Sequence, residues 1–198
     1  MKRIVIAGVS SGLALFFWGF VSWVVLPWHN MTFRDLPGEA RVSDVLQAEM
    51  QQSGTYFIPW MVASQMTDAA SAEKAMAEMN ERHRQGPVAQ IFYQAEGAEP
   101  MAPIVLLRGV GIDVLIGFVT ALLVSLTLDS TRGFSRRFGV VLTAGVFTVL
   151  MTHVTDWNFM YRPLDYTLVM CADHLVGTCV VGLIVAAIVR PVANPTKA

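Results

Sequence analysis

The chain has 198 residues, 54% hydrophobic and 15% charged, with a formal net charge of -1 and a mean hydropathy of +0.51. A soluble domain carries about 25% charged residues, so this chain has too little polar surface for water and lipid is its expected solvent. The balanced charge, with basic residues scattered near the ends of apolar runs, gives no reason to expect nucleic acid as a partner.

A membrane helix needs roughly 20 mostly apolar residues. The first candidate covers residues 4–28, which are 25 residues without a charge. Lys2 and Arg3 would suit a signal peptide, but the run is long and ends in Leu26-Pro27-Trp28-His29 with no small-x-small cleavage site. A retained helix is therefore expected. It carries Gly8 and Gly12 at the four-residue spacing that lets helices approach closely. Trp18, Trp23 and Trp28 do not repeat at helical spacing. Trp18 and Trp23 are expected to face lipid or a partner, and the charge-free helix as a whole to be the most lipid-exposed or the one that meets a partner.

Residues 29–103 read as a small α/β domain between the first two spans. Residues 41–52 predict a helix with Ser43 as N-cap and Val45, Leu46 and Met50 on one side. Residues 55–63 predict a strand, with Pro59 marking an edge or a bulge. A helix over 68–85 follows, with Ala69, Ala72, Met76, Met79 and His83 on one face, a Glu78–Arg82 pair, and Gly86-Pro87 as its stop. Residues 88–96 alternate as a second strand. Two strands are marginal alone, so they must pack on the helices or on a partner; the order fits a small α/β sandwich resting on the membrane. His83 is expected to be structural. The segment has no GxSxG, Walker loop, CxxC or HExxH, and nothing identifies a nucleophile.

The remainder, residues 104–198, predicts three more spans at 104–128, 138–155 and 167–189, with a cytoplasmic tail. The fold class expected is thus an α-helical integral membrane protein, a four-helix transmembrane bundle with one small extracytoplasmic α/β domain. Lys2 and Arg3, then Arg132, Arg136 and Arg137, then Arg190 and Lys197 all fall on one side of four spans. Residues 28–103 carry ten acids against five bases, net -5, on the other. The positive-inside rule places both termini in the cytoplasm. Trp28, Trp157, Tyr161 and Tyr166 then form an aromatic belt at the outer interface as anchors. Further glycines at 109, 111, 117, 139, 145, 177 and 182 suit helix packing, Gly177 on the fourth span among them. Cys171 and Cys179, eight apart on one helix, are about 12 Å apart and cannot pair; they read as small apolar residues.

Ionisable groups inside spans are costly and mark functional candidates. Counted from the outer ends at about 1.5 Å per residue, Arg108 lies roughly 7 Å in, Asp113 roughly 15 Å, and Asp173 and His174 roughly 10 Å. His153 and Asp156 share a face of the third span. One reading is a structural polar network in which Arg108 neutralises Asp113, Asp156 or Asp173 and the histidines bridge helices. Another is a proton or ion relay. A third makes His153 and His174 ligands of a metal or a haem; no cofactor is predicted outright.

Two stretches, Trp18-Gly19-Phe20-Val21-Ser22-Trp23-Val24-Val25-Leu26-Pro27-Trp28-His29 and His153-Val154-Thr155-Asp156-Trp157-Asn158-Phe159-Met160-Tyr161-Arg162-Pro163, with Gly54-Thr55-Tyr56 and Gly86-Pro87, resemble a family of small four-span bacterial inner-membrane proteins of unassigned function. The resemblance covers most of the chain. It implies the bacterial cytoplasmic membrane with the intervening domain in the periplasm, and carries no catalytic assignment. The function expected is a non-enzymatic accessory, assembly or structural subunit of a membrane complex or a homo-oligomer, with lipid and protein as partners. A small transporter or proton-coupled module, and a haem or metal protein, are the alternatives.

Overall fold

The structure is a computed structural model describing residues 1–61, 66–128 and 133–191. In chain order it contains α1 (Lys2–Phe20), α2 (Glu39–Glu49), β1 (Gly54–Ile58), α3 (Ala69–Gln85), β2 (Ala89–Tyr93), α4 (Pro103–Leu126), α5 (Phe134–Val149), α6 (Thr155–Phe159) and α7 (Leu164–Ile188). A π-turn, Val21–Val25, extends α1, and another, Leu150–Val154, joins α5 to α6. Four helices are long and apolar enough to cross a membrane: Lys2–Val25, Pro103–Leu126, Phe134–Phe159 and Leu164–Ile188. Phe17, Leu107, Leu115, Leu126, Phe147, Leu168 and Leu183, drawn from all four, are each more than half exposed. That much contiguous apolar surface is unsustainable in water and natural in lipid, as in a multi-pass membrane protein.

The chain divides into two compact units, Met1–Arg34 with the chain from Met101 onward, and Asp35–Pro100. In the first, α1 packs on both α4 and α7, and α7 on both α1 and α5, while α4 and α5 barely meet. The helices thus stand in the order α4, α1, α7, α5. α1, whose charge-free run from Ile4 is expected to be the most lipid-exposed or the one that meets a partner, packs on two neighbours, while Val5, Leu13 and Phe17 stay at least half exposed. Its glycines allow the packing. A Cβ on Gly12 would lie 2.4 Å from Val114 Cα, and one on Gly117 would lie 2.2 Å from the Gly8 carbonyl oxygen. Gly8 meets the Phe118 ring. The α1–α4 crossing is therefore backbone on backbone, where dispersion contacts are densest. Gly145 faces Thr178 across α5 and α7, and Gly177 faces Leu15 and Trp18 across α7 and α1. Gly111 and Gly139 meet nothing.

The buried apolar core consists of small and β-branched residues: Ala7, Ala121, Val124, Val141, Val181, Val185 and Val189. It lies toward the end that carries the chain termini. There Arg137 is 5% exposed and donates from Nε and Nη2 to the Ala186 carbonyl at 3.0 and 2.9 Å. Arg3 donates to the Arg190 carbonyl at 2.7 Å. Both cations satisfy carbonyls at the α7 C-terminus. Arg136 and Arg137, expected in a loop, belong to the first turn of α5, because the third span begins at Phe134 and runs to Phe159 rather than over 138–155. Arg132 and Lys197 lie outside the described residues.

In the second unit β1 and β2 pair antiparallel, Gly54 opposite Tyr93 through Ile58 opposite Ala89. The first strand stops at Ile58, before Pro59, which has no N–H to give the ladder; residues 62 and 63 of the longer strand expected lie outside the described residues. α2 begins at Glu39 with Gly38 before it, so Ser43 lies inside the helix and is not its cap. α3 is capped by a reciprocal Asp68–Ser71 box. The Ser71 amide and hydroxyl hold the Asp68 carboxyl below its ordinary value of 3.8. The cap's contribution is thus complete above the ordinary value and is lost as pH falls through the lower native one. The half-buried face of α3 carries Ala72, Ala75, Met79 and His83, with Ala69 and Met76 exposed. Arg82 bonds the Trp60 carbonyl rather than Glu78, which stands near Lys74 at 3.9 Å. Met50 is the one buried hydrophobic residue of this unit among those described.

If the α1–α4 crossing is set by glycine, Gly117→Leu should destabilise the protein by roughly 1–3 kcal/mol, an overpacking cost, while Gly111→Ala should change little. Thermal unfolding of both variants in detergent checks this; equal melting would contradict it.

Candidate functional site

Polar residues gather at the end of the first unit opposite the termini, and Asp173 on α7 is their centre. The π-turn closes with the Leu26 amide on the Val21 carbonyl at 2.9 Å, inserting a residue into the register as such turns do near functional sites. Leu26 is extended ahead of Pro27, as the proline ring requires. A 3-10 turn, Asn30–Thr32, follows and is pinned by Thr32 Oγ1 on the His29 carbonyl at 2.7 Å. The result folds Trp28 and His29 back over Ser22.

Trp18 Nε1 and the Ser22 hydroxyl both donate to Asp173 Oδ1, at 2.8 and 2.7 Å. His29 Nε2 stands 3.0 Å from Ser22 Oγ and 3.4 Å from Asp173 Oδ2. Trp28 Nε1 donates to the Ser22 carbonyl at 3.0 Å. His29 is 1% exposed, stacked on Trp23 at 3.8 Å and 7°, with Trp28 edge-on at 5.5 Å. Its Nδ1 is buried with no hydrogen-bond partner among the described residues. Trp18 therefore turns inward instead of facing lipid, and Trp23, though 45% exposed, covers the histidine.

Serine, histidine and aspartate in contact invite comparison with a nucleophilic triad, and the geometry rejects it. A triad uses both imidazole nitrogens, serine on one and carboxylate on the other. Here Ser22 and Asp173 share Nε2, and the Ser22 proton goes to Asp173. The arrangement ties α1 to α7; it does not activate an oxygen.

Of the other expected members, His153 and His174 meet edge to face with centroids 5.6 Å apart, interplanar angle 74°. No group of three His, Cys, Asp or Glu side chains fit to hold a metal occurs among the described residues. Asp156 pairs with Arg162 at 2.9 Å. Arg108 is exposed and makes no ion pair among the described residues, so it neutralises none of the three aspartates. Its span position near the helix end lets its long side chain reach outward. Tyr166 is half-buried, Trp157 and Tyr161 are exposed, and Tyr161 takes a left-handed φ of 54° at the turn before α7. Arg34 pairs with Asp165 in the same unit. Cys171 and Cys179 are unpaired thiols, half-buried.

Because α4 and α5 diverge, a cavity of about 420 Å³ opens between them, floored by α1 and α7. Asp113, Asp173, His174 and Trp18 line it, with the hydroxyl-bearing Thr120, Thr148 and Thr178 and apolar residues that include Ile116, Leu123, Val141 and Val181. Asp113 makes no hydrogen bond or ion pair among the described residues. Sequence reasoning passed over His29, Ser22 and Arg162. A signal existed for Ser22: it lies four residues after Trp18, on the same helical face. Arg162 is six residues from Asp156.

No protein family, no curated protein and no solved structure matches the chain.

The two aspartates should separate cleanly. Asp173→Asn removes an acceptor from a satisfied network and should cost about 1–3 kcal/mol. Asp113→Asn, with no partner to lose among the described residues, should not lower the unfolding free energy. Denaturant unfolding in mixed micelles distinguishes them; a loss for Asp113→Asn would contradict this assignment.

Proposed function

We propose that the protein is a non-enzymatic accessory or assembly subunit that works through a protein partner at a bacterial inner membrane. The observation that carries this reading is the second unit. Among the described residues its sheet has two strands, each with one unpaired edge, and its one buried hydrophobic side chain is Met50. Phe57, Ile58, Trp60, Val88 and Phe92 stay between 38% and 70% exposed. So thin a unit does not reach independent stability by its own burial. A partner surface that covers the aromatics or adds a strand to an edge would complete it. The partner is another subunit of a membrane complex, or a second copy of this chain.

The charge asymmetry supports a topology with both termini cytoplasmic and residues 35–100 on the periplasmic face. The inward-turned Ser22–His29–Asp173 set supports the non-enzymatic reading, since it offers no activated nucleophile. One observation favours a second reading, a proton- or ion-coupled module: Asp113, Asp173 and His174 line one cavity. Ionisable groups that line one cavity within the spans are the kind from which relays in membrane proteins are built.

A photo-reactive amino acid placed at Phe92 in cells should give one discrete adduct, and the same residue at Lys74 on the polar face of α3 should give none. An adduct at the mass of two chains identifies self-association. Absence of any adduct at Phe92 and at Trp60 would overturn the partner reading.

A further inference from the structure

We propose that the cavity between α4 and α5 is a binding site for a freely partitioning lipophilic cation, an apolar body carrying one amine or quaternary charge. Its volume, about 420 Å³, falls in the range of roughly 300–1,000 Å³ that small-molecule sites occupy. Two carboxyl groups, Asp113 and Asp173, line it, and no lysine or arginine does. Asp173 is already engaged through Trp18 and Ser22, whereas the Asp113 carboxyl has no hydrogen-bond or ion-pair partner among the described residues. In an apolar surrounding an unmatched carboxylate is expensive, and a cation beside it removes that cost.

Trp18 forms part of the wall, its ring fixed by its bond to Asp173. An indole attracts a cation more strongly than other rings. Most of the remaining lining is apolar, Ile116, Val119, Leu123, Val141 and Val181 among it. Carboxyl groups and apolar side chains around one cavity match an amphiphile. Phospholipid head groups are disfavoured, because the phosphate beside their ammonium would face the two carboxyl groups.

Two substitutions probe the site with little risk to the fold. Asp113→Asn removes charge from a side chain without a partner among the described residues. Gly19 lines the cavity, and a Cβ there meets nothing within 4 Å, so Gly19→Leu fills the space from a helical position. The experiment uses the full chain in phosphatidylcholine nanodiscs and measures tritiated tetraphenylphosphonium by scintillation proximity, with empty nanodiscs subtracted. The expected result is saturable binding of about one cation per chain, displaced by dodecyltrimethylammonium and not by dodecyl sulfate. Binding should weaken at least about tenfold, or roughly 1.4 kcal/mol, in Asp113→Asn and in Gly19→Leu, and return in Asp113→Glu. Uptake equal to empty nanodiscs, equal displacement by dodecyl sulfate, or wild-type binding in either variant would overturn the proposal. The competition arm uses wild-type protein, so a variant that fails to fold leaves the test intact.

Discussion

The carboxyl group of Asp173 is the constraint on which the arrangement of the helices depends. A carboxylate within an apolar helix demands donors, since an unmatched charge there costs several kcal/mol. Trp18 and Ser22 supply them from one face of α1, and His29 closes the other oxygen. These bonds fix which face of α1 meets α7. The opposite face of α1 is left for α4, and there Gly12 and Gly117 allow backbone contact. Polar matching at one end and glycine packing along the length thus make α1 the shared neighbour of α4 and α7.

The cavity follows from that choice. With α1 and α7 occupying the middle, α4 and α5 sit at the ends of the row and meet little. Small residues, Ala144, Gly145, Gly177 and Gly19, are among those that line the space. The core near the termini closes tightly by contrast, through valines and alanines and through Arg137 on the last turn of α7. The buried core and the cavity share Val141 and Val181, so the cavity stands directly on the core.

Much of this was legible in the sequence, for identifiable reasons. Uninterrupted apolar runs announce spanning helices because lipid demands them, and all four lie where the runs are. Asp173 and His174 announce themselves as ionisable residues in such a run. Their partners do not. The π-turn at Val21–Val25 has no marker in residue type, and without it His29, one residue beyond Trp28, belongs to a loop. Arg108 was expected to balance an aspartate because charge counts pair opposites. The nearer partner of Asp156 is Arg162, on the turn that follows it. Helix order is equally silent in sequence: a charge-free run reads as a helix that faces lipid or meets a partner, and only the glycine contacts show that α1 packs on both α4 and α7.

The central claim is that Asp173 binds α1 through Trp18, and the interaction energy of that pair measures it. A double-mutant cycle of Trp18→Phe, Asp173→Ala and the double variant, followed by reversible unfolding in bilayer mimetics, isolates the term, because alanine leaves Trp18 Nε1 no side-chain acceptor. The account predicts a coupling of about 1–2 kcal/mol, within the range for residues in direct contact. Additivity of the two single variants to within about 0.3 kcal/mol would contradict it.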